Sequence, residues 1–72
     1  MNSIYKLSWY LENEGQTKEN WMSNEIYARL YFRDLYESLS PGCWICLEEY
    51  VEKDEKWGFE FSKQIDFVEI NS

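Results

Sequence analysis

Histidine is absent from this 72-residue chain. The side chain that most often serves as a general base near neutral pH is therefore missing, and with it any Ser/His/Asp set. Proline occurs once and glycine three times, which leaves little material for long loops or a Gly-rich phosphate cradle. Two cysteines are too few for a disulfide framework. Bases are scarce: seven Lys and Arg stand against fourteen Asp and Glu, a net charge of -7. Binding nucleic acid by neutralising phosphates needs the opposite sign. No window approaches the ~18 consecutive apolar residues of a membrane span. The opening Met1-Asn2-Ser3-Ile4-Tyr5-Lys6 lacks the apolar stretch of a secretory signal. The cytoplasm, where thiols stay reduced, is the expected compartment.

What the chain does have is aromatic side chains, 19% of its residues, with four Trp, six Tyr and four Phe. Its length allows one small domain, residues 1–72, which buries only ~60% of the surface its unfolded chain exposes. Large rings partly offset that handicap. The expectation is a thin core, or a protomer completed by a partner.

Tyr5, Leu7, Trp9 and Leu11 alternate with Lys6, Ser8, Tyr10 and Glu12, the period of a strand. Asn13-Glu14-Gly15-Gln16 reads as a hairpin turn with Gly15 at positive φ. Residues 17 to 22 read as a returning strand with Trp21 inward, or as loop. Ser23 or Asn24 caps a helix over residues 24 to 39. Tyr27, Ala28, Tyr31, Phe32, Leu35 and Leu39 share its buried arc, while Arg29, Arg33, Glu37, Ile26 and Leu30 lie outside. Ser40-Pro41-Gly42 ends it. Cys43 to Glu52 forms a third strand. Trp57, Phe59 and Phe61 begin a fourth, with a bulge or bend at residues 62 to 64 before it runs on to Ile70. The fold class is α+β: one antiparallel sheet of three to four strands with one helix on one face, ββαββ, or βαββ if residues 17–22 are loop.

Cys43-Trp44-Ile45-Cys46 is the one recognisable chemical motif. On a strand, residues three apart face opposite ways, so these sulfurs should not meet. Two thiols supply half of a zinc site; a four-cysteine site shared across a dimer stays open beside the plainer reading of structural thiols. Glu48, Glu49, Glu52, Asp54 and Glu55 cluster on the third strand and its turn, along what reads as a solvated edge. They match neither a glycosidase pair nor a calcium loop. No catalytic residue, metal site or cofactor is expected, and no enzymatic activity.

The charge is local. Residues 1 to 36 hold five acids and four bases, a net of one negative; residues 37 to 72 hold nine acids and three bases, a net of six. Such acidity keeps a small protein soluble, and it also offers a ladder of carboxylates to a basic groove. If Ile45 and Leu47 face the helix, Trp44, Tyr50 and Tyr10 face away, where large aromatics suit an interface. Ile26 and Leu30 form a smaller patch. The expected partner-binding residues are Glu48, Glu49, Glu52, Asp54, Glu55, Trp44, Tyr50 and Tyr10. In size and charge the chain resembles the small inhibitors that phages and mobile elements make, such as anti-CRISPR proteins and uracil-DNA glycosylase inhibitors. That resemblance implies a host protein partner that handles nucleic acid, with no direct contact to nucleic acid or membrane. The alternative is a structural or regulatory homodimer pairing through its open sheet face.

Overall fold

The computed structural model describes residues 2–53 and 58–71. Five elements follow one another: β1 (Ser3–Leu11), β2 (Gln16–Met22), α1 (Glu25–Ser38), β3 (Trp44–Glu52) and β4 (Phe59–Glu69). The strands form one antiparallel sheet in the order β2-β1-β3-β4, with α1 against one face. The fold is therefore α+β in the ββαββ arrangement, and residues 17–22 belong to a strand.

Gly15 sets the first hairpin. Its φ of 64° is one that L side chains rarely adopt, and its N–H donates to the Leu11 carbonyl at 2.8 Å. This closes a turn that pairs Leu11 with Gln16 and Tyr5 with Met22. Asn24 caps α1: its side-chain oxygen accepts from the Tyr27 N–H at 3.0 Å. Glu25 in the first turn complements the positive helix end and binds Arg29 at 2.9 Å. After Leu39 the chain turns through Gly42, whose φ is 93°, and its N–H donates to the Ile70 carbonyl.

The core is small. Leu7, Ile45 and Leu47 are fully hidden, and Tyr5, Ala28 and Phe32 complete the buried cluster. Trp9, Met22, Leu35, Leu39, Ile65 and Val68 pack around it. On α1 only Ala28 and Phe32 are buried. Tyr27 and Tyr31, expected on the inward arc, are exposed at 67% and 40%. A single helix covers less width than its apolar arc spans, so the rims of that arc stay in water.

Between β3 and β4 the register shifts twice. Asp66 pairs with Leu47 but Gln64 with Glu48; Lys63 pairs with Glu49 but Phe61 with Tyr50. Ile65 and Ser62 are thus extra residues on β4, two bulges that keep one continuous strand where a bend was the alternative.

Candidate interaction face

Pairing register assigns every strand residue to a face, because directly opposed residues of an antiparallel pair point the same way. Tyr5, Leu7 and Trp9 point to α1, and so do their β3 partners Glu49, Leu47 and Ile45. Lys6, Ser8 and Tyr10, opposite Glu48, Cys46 and Trp44, point away. No helix lies on that second face among the described residues.

Trp21 belongs there too. It pairs with Lys6, while Met22, Asn20 and Lys18 take the helix-side positions opposite Tyr5, Leu7 and Trp9. The expectation that Trp21 points inward is corrected by one residue of register, which exchanges the faces of a whole strand. Met22 fills the core position instead, and Trp21 is 45% exposed.

Two aromatic groups result. Near one end, Tyr10 stacks on Trp44 with centroids 6.2 Å apart, and Trp44 meets Phe67 at 6.1 Å. Near the other, Tyr50 contacts Trp21 edge-on at 5.0 Å and Phe61 at 5.8 Å. Phe59, opposite Glu52, extends this group. The rings are only partly covered: Phe61 is 53% exposed, Phe67 43% and Phe59 40%. Such pairs favour edge-to-face or offset geometry, and part of each ring's surface stays exposed.

The acids divide between faces. Glu48 and Glu52 lie on the open face, with Glu19 opposite Ser8 and Glu69 opposite Trp44. Glu49 lies on the helix side, where the Tyr5 hydroxyl sits 3.5 Å from both its carboxylate and that of Glu25. Burial and these two carboxylates push the Tyr5 hydroxyl's pKa above its ordinary value. Asp54 and Glu55 lie outside the described residues. The expected solvated edge is corrected: β3 is interior, between β1 and β4, so its acids project from the middle of the sheet. Among the described strand residues the open face carries one base, Lys6. Its ammonium is 3.7 Å from Glu19 and 5.8 Å from the Trp21 ring.

Both cysteines are free and buried. The Cys43 sulfur accepts from the Glu12 N–H at 3.5 Å, and the Cys46 sulfur lies 3.8 Å from the Gln64 side-chain oxygen. Burial, then the Glu48 carboxylate, raises the Cys46 thiol pKa, which keeps it protonated and unreactive at neutral pH. Among the described residues no group of three His, Cys, Asp or Glu side chains could hold a metal ion. No described helix is long and apolar enough to cross a membrane.

Glu19, Trp21, Phe61, Phe67 and Glu69 were not singled out from the sequence. Alternation within β4 was the available signal for Phe61 and Phe67; nothing local distinguishes the face of β2. No protein-family model, characterised protein or solved structure matches this chain.

Proposed function

We propose that this protein is a non-enzymatic interaction module whose open sheet face docks onto a positively charged surface of a protein that handles nucleic acid, and so inhibits it. One observation carries the reading: Tyr10, Trp44, Phe67, Trp21, Tyr50 and Phe61 share one uncovered face with Glu19, Glu48, Glu52 and Glu69. Trp and Tyr are enriched among the few residues that carry most of the binding energy at protein interfaces, and carboxylates set partner sign and association rate. A basic groove built for phosphates finds on this face four carboxylates with aromatic rings between them. Nucleic acid itself meets repulsion there. Two buried free thiols suit a reducing compartment, so the site of action is the cytoplasm, including a host cytoplasm for a phage- or mobile-element-encoded inhibitor.

The test is capture of partners on immobilised protein at low salt and at about 0.5 M salt, followed by competition with DNA. A partner that is released by salt, displaced by DNA, and lost with Glu48→Lys/Glu52→Lys and with Trp44→Ala supports the reading. A confirmed complex indifferent to all of these overturns it. So does a sedimentation mass of two chains at high micromolar concentration that reverts to one in Trp44→Ala, because the open face would then be closed by a second copy.

A further inference from the structure

One cation of the chain already sits on the open face, and its surroundings are particular. The Lys6 ammonium lies 3.7 Å from the Glu19 carboxylate and 5.8 Å from the centre of the Trp21 ring. Glu19 and Trp21 are two residues apart on β2, hence on one face. A ring face attracts a cation through its quadrupole, and a carboxylate beside it adds Coulomb attraction. An indole with a neighbouring carboxylate is thus the pair that seats positive charge on this surface.

The same pair recurs at the other end of the sheet. Trp44 and Glu69 are directly opposed in the β3/β4 register, so their side chains leave the backbone about 5 Å apart on one face. Tyr10 and Phe67 flank Trp44 at 6.2 and 6.1 Å and widen the aromatic platform. Glu69 is exposed and makes no ion pair with any described residue. No described base of the chain serves this end. Lys6 lies four residues from Tyr10 along β1, about 14 Å away. Lys18 and Lys63 point to the helix side, opposite Trp9 and Glu49. Lys53 pairs with Glu60, and Arg29 with Glu25. Arg33 borders a groove between α1 and β4 on the far side of the sheet. Glu52 also faces a ring, that of Phe59, but a phenyl ring holds a cation less well than an indole.

We propose that Trp44 and Glu69, flanked by Tyr10 and Phe67, form the seat for one arginine side chain of the basic partner. Its guanidinium lies on the exposed indole surface and its N–H groups donate to the Glu69 carboxylate. Arginine fits better than lysine, because a planar guanidinium stacks on a ring while its edge still reaches a carboxylate. Lys6 fills the equivalent position at Trp21, so the partner's arginine goes to Trp44. The proposal rests on the open face being a docking surface, and it names the group recognised there.

The test is an NMR titration of the protein with N-acetyl-arginine amide, whose guanidinium is its only charge, against N-acetyl-citrulline amide, its neutral counterpart. Each is taken to about 100 mM at matched ionic strength, as weak single-group binding requires. The indole N–H signals report each tryptophan separately. Trp44 should shift about threefold further, or more, with the arginine compound than with the citrulline compound. Trp9, on the helix side, serves as the silent reference. Glu69→Gln should remove most of the difference. Lys6→Met should make Trp21 respond as Trp44 does, because it frees the Trp21–Glu19 pair. Equal shifts of Trp44 with both compounds overturn the proposal. So do an unchanged response in Glu69→Gln, a Trp21 that moves as far as Trp44 in the unmutated protein, or a Trp21 still silent in Lys6→Met. Glu69 is exposed and Met keeps the length of Lys6, so both variants retain the fold, and unchanged amide spectra check this. A failed titration leaves the capture of a salt- and DNA-sensitive partner untouched, so the two readings fail separately.

Discussion

Leu7, Ile45 and Leu47 meet at the sheet centre under Phe32 and Ala28, and few other side chains are hidden. In so thin a core each one matters. Leu7→Ala should cost about 2–5 kcal/mol through lost burial and the cavity left behind, read as a lower urea midpoint at unchanged slope. A loss below 1 kcal/mol would contradict the packing. Tyr5 and Cys46 make stability sensitive to alkaline pH. Both have pKa values raised in the folded state, so the fold holds their protons more tightly than the unfolded chain does. Their contribution is complete below the unfolded values and is lost as pH climbs through the folded ones. Stability should therefore fall above about pH 8.5–10, and Tyr5→Phe should flatten the upper part of that fall. An equally steep decline in Tyr5→Phe would remove the tyrosine from this account. Tyr5, Leu7, Ile45 and Leu47 were legible in the sequence because strict alternation marks a buried strand face. Tyr27 stays exposed and Tyr31 reaches only Trp9 at the rim of the core, because an apolar arc says nothing about how wide the covering surface is.

The elements are held by short-range chemistry that sequence reveals well. Asn24 satisfies the Tyr27 N–H, so Asn24→Ala should destabilise by about 1 kcal/mol while Asn24→Asp keeps most of the stability. Calorimetric melting of both variants decides it, and equal melting temperatures would mean the cap is idle. Gly42 combines a φ of 93° with the Glu12 Cγ only 3.1 Å from where a Cβ would stand. Gly42→Ala should lower stability by about 1 kcal/mol or more, and rescue by Glu12→Ala should be partial because the backbone strain remains. Full rescue would assign the whole cost to the clash. The β2 register shows the limit of local reading. Thr17 to Met22 has apolar residues only at its last two positions, one for each face, so only packing against Tyr5 and α1 selects Met22 for the core and turns Trp21 outward.

As a whole the molecule is elongated, with extents of 45 × 23 × 15 Å and a radius of gyration of 13.2 Å, against about 11 Å for a compact domain of this length. Salt should act in two opposite directions. Screening of self-repulsion among the excess carboxylates should raise the urea midpoint between low salt and about 0.2 M, while the same screening should weaken the partner binding proposed for the open face. A urea midpoint that falls with salt would show that attractive pairs such as Lys6–Glu19 outweigh the repulsion. The sequence by itself determined the order of β1, α1, β3 and β4, the helix stop, the scarcity of catalytic groups and the concentration of acid in the second half, because these depend on residue type and near neighbours. The structure decided that β2 is a strand and that Asn24 rather than Ser23 is the cap. Only the tertiary structure decided that Trp21, Phe61 and Phe67 join Tyr10, Trp44 and Tyr50 on one face, that β3 lies inside the sheet, and that a groove opens beside Arg33. Those outcomes follow from strand order and register, which arise from contacts between residues far apart in the chain.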